Sequence, residues 1–111
     1  MLMTVYEALV EPNRRQILDL LRERPRFVGE LVDLLQISQP GVSKHLRVLR
    51  RAGLVRVRQE AQRRRYELRP EPLAEVDRWL AAYRDLLEER YSRLDELLDE
   101  LQQQEVAGEP E

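Results

Sequence analysis

The chain contains no cysteine and one histidine, His45. Disulfides, thiolate metal sites and cysteine nucleophiles are therefore excluded, and cysteine usage says nothing about redox compartment. No apolar run approaches the roughly 18 residues that a membrane span requires. The N-terminal MLMTVYEALVEP also lacks the charged-then-apolar build of a signal peptide. A cytoplasmic location without membrane association is the expectation. No Ser/His/Asp set, phosphate-binding loop or paired-carboxylate context is recognisable, and acidic pairs such as Glu88–Glu89 read as solvated helix surface. Neither enzymatic chemistry nor a cofactor is expected.

Charge is abundant and unevenly distributed. At 111 residues, with no internal repeat, there is room for one domain with a modest core. The formal net charge is only −2, yet residues 1–70 carry 15 Lys+Arg against 8 Asp+Glu, whereas residues 71–111 carry 4 against 13. Between Ser38 and Arg69 the excess is steepest, with 10 basic residues to 2 acidic. Such polarity suits a surface that meets a polyanion.

Periodicity predicts a mainly α chain with a small β-hairpin, in the order α-α-α-α-β-β-α. A short first helix spans Val5 to Val10 and stops against Pro12. The second starts with Glu11 as its cap and Pro12 at the first helical position, where a missing N–H costs nothing. Ile17, Leu18 and Leu21 form its buried stripe, and Pro25 ends it. Phe27, Leu31, Leu34 and Leu35 mark a third helix. Ile37-Ser38-Gln39-Pro40-Gly41 then reads as a turn and a helix start, with Ser38 as cap. A fourth helix runs from Gln39 to Arg51, with Val42, Leu46 and Leu49 inward and Gly53 as its stop. Two helices joined by so short a turn make a helix-turn-helix candidate.

After Gly53 the period changes. Leu54, Val55 and Val57 precede Glu60-Ala61-Gln62, and Tyr66 and Leu68 follow, so apolar residues alternate with arginines as in a hairpin wing. From Glu71 to about Gln103 one long helix carries Leu73, Val76, Leu80, Tyr83, Leu87, Leu94, Leu97 and Leu101 on alternating three- and four-residue steps, broken once at Arg90. That stripe reads as a dimerisation seam, and Trp79 and Tyr91 beside it as core or interface before ligand pocket. The domain is drawn as residues 1–104, with a polar, disordered tail at 105–111.

The fourth helix separates into an apolar face and a face holding Pro40, Ser43, Lys44, Arg47 and Arg51. In a major groove Arg or Lys reaches guanine edges, Gln pairs with adenine, and Ser serves a base or a phosphate. Arg63-Arg64-Arg65, at the turn and second strand of the hairpin, suit a narrow minor groove, and alternation sends Arg63 and Arg65 to one face and Arg64 to the other. A solvated, charged hairpin that resists edge pairing is the competing account. His45 lies at the edge of the buried face, either as a partly buried residue bonded to backbone or as a phosphate contact.

The segments ALVEPNRRQILDLLRERP and ISQPGVSKHLRVLRRAGLVRVRQEAQRRRYEL resemble the winged helix-turn-helix core of the ArsR/SmtB family, over about residues 5 to 70. The run from Ser38 to Val55, S-x-x-x-V-S-x-H-L-x-x-L-x-x-x-G-L-V, is the most specific part. The resemblance implies a homodimer packed through its first and last helices, with a recognition helix for the major groove and a wing for the flanking minor groove. Gln39, Ser43, Lys44, His45 and Arg47 match positions that tend to face DNA in that family. The chain departs from the metal-sensing members: its third helix, FVGELVDLL, has no cysteine, and one histidine cannot make a zinc site. The similarity is to the metal-independent branch.

The expected function is a sequence-specific, double-stranded DNA-binding transcriptional regulator, a repressor, acting as a homodimer; its effector is not legible. The alternative is a winged-helix protein-interaction module that assembles through the acidic last helix. Metal indifference follows from the absent ligand set. DNA affinity should be equal with a chelator and with stoichiometric zinc, and a saturable zinc effect in a titration would overturn this.

Overall fold

The computed structural model describes the backbone of residues 4–108 and the side chains of residues 4–105. The elements are α1 (Val5–Leu9), α2 (Pro12–Glu23), β1 (Arg26–Phe27), α3 (Val28–Leu35), α4 (Gln39–Arg51), β2 (Val55–Glu60), β3 (Arg63–Leu68) and α5 (Leu73–Gly108). Three helix starts are fixed by side-chain acceptors. Thr4 Oγ1 accepts from the Glu7 amide at 3.1 Å, Glu11 Oε2 from the Arg14 amide at 3.1 Å, and Ser38 Oγ from the Gly41 amide at 3.2 Å. Each satisfies a donor that the first helical turn leaves without a partner. The end of α4 is equally determined: Gly53 takes φ +78°, its amide reaches the Arg50 carbonyl, and the Leu54 amide reaches that of Leu49, both at 3.0 Å. A side chain at φ +78° would be strained, so glycine stands there.

The sequence reading gives two strands, and there are three. β1 pairs antiparallel with β3, Arg26 opposite Tyr66 and Phe27 opposite Arg65, so the sheet order is β1-β3-β2. Two residues are too few to show a period of two, and only the partner strand reveals them. Burial of Arg26 was equally hidden. Its Nε donates to the Leu20 carbonyl at 3.1 Å and its guanidinium meets the Glu23 carboxylate at 2.8 Å, which satisfies a helix-end acceptor in α2 and neutralises the cation.

The described residues group as two compact units, one through Val76 and one from Asp77. In the first, the core joins Val5 and Ala8 of α1, Ile17, Leu18 and Leu21 of α2, Leu31 of α3, Val42, Leu46 and Leu49 of α4, and Leu54, Val55 and Tyr66 of the hairpin. Leu73 and Val76, read from the sequence as the start of the dimer seam, are partly buried against this core. The Tyr6 hydroxyl also donates to the Glu75 carbonyl at 3.3 Å. In the second unit the α5 side chains described are all exposed. Arg84–Asp77 and Arg93–Glu89 pair along it, and the Trp79 and Tyr83 rings lie 5.3 Å apart. The tail expected from Glu105 is helical to Gly108, consistent with the helix-favouring run Gln102-Gln103-Gln104-Glu105, while residues 109–111 lie outside the described residues.

Glu30 ties α3 to the segment before it. It accepts from Arg24 at 2.5 Å and from the Phe27 amide at 3.2 Å. The Arg24 hydrogen bond chiefly, then the Phe27 amide and the charges of Arg24 and Arg26, hold its carboxyl below the usual range against a smaller opposing effect of burial. A carboxyl depressed by folding contributes stability that is full above the ordinary carboxylate pKa and is lost as the pH falls through the lowered folded-state value. Urea unfolding at a series of pH values should therefore show Glu30→Gln less stable than the parent at neutral pH. The two should converge in strong acid; parallel curves would exclude this role.

Candidate nucleic-acid interface

α3 and α4 are joined by residues 36–38, where Gln36 turns the chain in the left-handed region at φ 59° and donates its amide to the Val32 carbonyl. The turn is tight. A Cβ on Gly41 would sit 2.8 Å from Ile37 Cγ2 and 3.2 Å from Ser38 Oγ, so a larger residue there would have to push the Ile37 side chain aside. With Val42, Leu46 and Leu49 buried, the face of α4 turned outward shows Gln39, Lys44, Arg47, Arg50 and Arg51, all exposed, with Ser43 half-buried beside them.

His45 does not share that face. Its side chain is 16% exposed, its Nε2 lies 3.9 Å from Glu11 Oε2, and its Nδ1 is buried without a hydrogen-bond partner among the described residues. Glu11 is also the cap of α2, so His45 stands between α4 and the start of α2. The side chain is partly buried as one of the two expectations has it, but the backbone hydrogen bond expected with that burial is absent at Nδ1.

The hairpin register pairs Val55 with Leu68, Val57 with Tyr66, Arg58 with Arg65, Gln59 with Arg64 and Glu60 with Arg63. One face therefore carries Val55, Val57, Tyr66 and Leu68 into the core and continues at the tip as Gln59 and Arg64. The other face is charged and internally matched. Glu67 holds Arg56 at 2.9 Å and Arg58 at 3.1 Å, Glu60 holds Arg65 at 2.8 Å, and the Arg63 guanidinium stacks over the Phe27 ring at 3.6 Å. Arg63 and Arg65 thus share a face and Arg64 takes the opposite one, but only Arg64 of the three is left without a protein partner among the described residues. At the hairpin tip Ala61 adopts φ 52° and its carbonyl accepts from the Gln59 amide group at 3.1 Å.

Two clefts flank Arg64. One of about 150 Å³ lies between α4 and β3, lined by Ser43, Leu46, Arg47, Arg50, Arg64 and Tyr66. The other, of about 380 Å³, lies between the hairpin tip and the starts of α3 and α4, lined by Phe27, Val28, Gly29, Gln39, Gln62, Arg63 and Arg64. Sequence reasoning missed Arg50 and Phe27. Arg50 stands three residues beyond Arg47 and seven beyond Ser43, a helical spacing that places it on their face. Among the described residues, no group of His, Cys, Asp and Glu is placed to hold a metal ion, and no helix is long and apolar enough to cross a membrane.

A short-turn helix pair whose second helix bares a basic face, followed by a basic hairpin, is a winged helix-turn-helix. Residues 11–57 match the profile of bacterial regulatory proteins of the arsR family. The chain is 32% identical over 76 residues to the transcriptional repressor SdpR of Bacillus subtilis, covering 68% of this chain and 84% of that one. It belongs to the ArsR family of transcriptional regulators. The HTH-type transcriptional regulator Rv2034 of Mycobacterium tuberculosis is 45% identical over 69 residues, which is 62% of this chain and 64% of the relative's length. Among solved structures, HlyU from Vibrio cholerae superposes with a TM-score of 0.59 at 39% identity, over 71% of this chain and 87% of that one. The V. cholerae HlyU is described as a transcriptional activator, so one fold serves both signs of regulation among its relatives.

The Ser38 cap is what orders the first turn of α4, where Gln39 sits. Ser38→Ala should cost about 1 kcal/mol of stability and speed hydrogen exchange at the Gly41 amide before that of the helix centre. Unchanged exchange there would show the cap to be dispensable.

Proposed function

We propose that the chain is a sequence-specific, double-stranded DNA-binding regulator that acts as a homodimer, setting α4 in the major groove and its hairpin wing against the flanking minor groove. The observation that carries this reading is the outward face of α4. It holds Gln39, Ser43, Lys44 and Arg47 together, with no carboxylate within ion-pair distance among the described residues, beside a wing whose Arg64 is equally uncompensated. Donors and cations of this kind read base edges and neutralise phosphates. His45 supports α4 from behind, through Glu11.

The homodimer rests on α5. Leu80, Tyr83, Leu87 and Leu94 are each more than a third exposed and follow the three- and four-residue steps of a coiled-coil seam. Contiguous apolar surface of that extent marks an interaction site, and an identical helix is the partner always available at equal concentration. Leu73 and Val76 contribute to the domain core first. Repression is the sense inferred, because a dimer seated on a promoter excludes other proteins without further machinery, and SdpR, matched over 84% of its length, is described as a repressor.

The test is a footprint on the DNA upstream of the protein's own gene, followed by affinity measurements over a range of salt. Two protected half-sites about 10 bp apart, or a multiple of it, are expected. Leu80→Asp combined with Leu87→Asp should yield monomers in sedimentation and weaken operator binding. A parent chain that is monomeric at micromolar concentration would refute the seam. Assembly without salt-sensitive duplex binding would instead favour the protein-interaction module.

A further inference from the structure

The cations between Ser38 and Arg69 divide into two sets. Arg56, Arg58 and Arg65 are held by Glu67 and Glu60, Arg63 is stacked on Phe27, and Arg69 lies 3.9 Å from Glu71. Lys44, Arg47, Arg50, Arg51 and Arg64 have no carboxylate within 4.0 Å among the described residues, and three of these five line the single cleft of about 150 Å³ between α4 and β3. The cleft floor is apolar, made by Leu46 at 1% exposure and Tyr66 at 8%. Ser43 adds a hydroxyl at its wall. Like charges gathered over a low-dielectric floor repel one another unless an anion sits among them, and the planar donor fork of arginine fits phosphate oxygens in pairs.

We infer that Arg47, Arg50 and Arg64 form a seat for one phosphoryl group, the backbone phosphate of the DNA strand that passes between recognition helix and wing. The inference rests on the DNA-binding reading above and sharpens it. Arg47 grips the wall of the groove instead of a base edge, Arg50 joins the contact set, and of the three consecutive wing arginines Arg64 alone anchors the strand. Arg63 and Arg65 serve the hairpin itself.

The experiment compares Arg50→Ala, Arg64→Ala and Arg65→Ala with the parent on the footprinted duplex, with and without a neutral methylphosphonate at each backbone position in turn. Loss of either seat arginine should lower affinity on the order of tenfold and reduce the slope of log affinity against log salt by at most about 0.9 per half-site, the share of one phosphate, on specific and scrambled duplexes alike. Arg65→Ala should leave the slope unchanged. One methylphosphonate position should weaken Arg64→Ala less than it weakens the parent, because both changes act on the same contact. Additive losses, or an Arg64→Ala slope equal to that of the parent, would overturn the seat. Inorganic phosphate supplies the second arm, read from the guanidinium resonances of Arg50 and Arg64. Saturable shifts there, with no methylphosphonate position mattering, would show a seat for free phosphate and overturn the strand assignment. Should the parent bind no duplex with salt-dependent affinity, the DNA reading fails by itself while the phosphate arm still decides the seat.

Discussion

Val42, Leu46 and Leu49 are almost wholly withdrawn from solvent, and this burial of one face of α4 determines which side chains the helix can show to anything outside. Removing a buried leucine of this kind costs about 2–5 kcal/mol, against a total stability of about 5–15 kcal/mol for a domain. The helix therefore cannot roll without unfolding its surroundings. Gln39, Lys44, Arg47 and Arg50 are consequently held outward by the core behind them, which is the rigidity that a surface for reading another molecule needs.

Much of this was legible in the chain because it is written locally. Helix periodicity placed Ile17, Leu18, Leu21, Val42, Leu46 and Leu49 in the core, and the caps Glu11 and Ser38 and the stop at Gly53 fixed the boundaries of α2 and α4. Alternation separated Arg64 from Arg63 and Arg65. What escaped depends on partners distant in sequence. β1 exists only because β3 lies alongside it, Arg26 is buried by the end of α2, and Leu73 and Val76 keep seam spacing while serving the core. The three-arginine run looked uniform for the same reason: Phe27 and Glu60 have to be placed before two of its members can be seen to be occupied.

Ion pairs on the outer face of the wing contribute little to stability. Arg56 and Arg58 are each about half exposed, and pairs in such settings are worth roughly 0–1 kcal/mol. Their effect lies in where positive potential remains. Glu67 and Glu60 offset two of the four arginine charges on the outer face of the hairpin and leave Arg64, on the other face, without an ion-pair partner among the described residues. The two carboxylates thus set which of the wing's cations remain available to a partner from outside the chain.

Leu54 ties the base of the hairpin both to α4 and across its own two strands. The Leu54 amide is bound to the Leu49 carbonyl at 3.0 Å, and the Leu54 carbonyl accepts the Arg69 amide at 2.7 Å. Only the three-residue turn 52–54 lies between helix and ribbon, and Leu54 and Val55 at its end are themselves buried. Hydrogen bonds on both sides of Leu54 and its burial stiffen the joint between helix and wing, like the hinge of a caliper tightened down. A change of angle between helix and wing would have to break the Leu54 hydrogen bonds or draw Leu54 and Val55 out of the core.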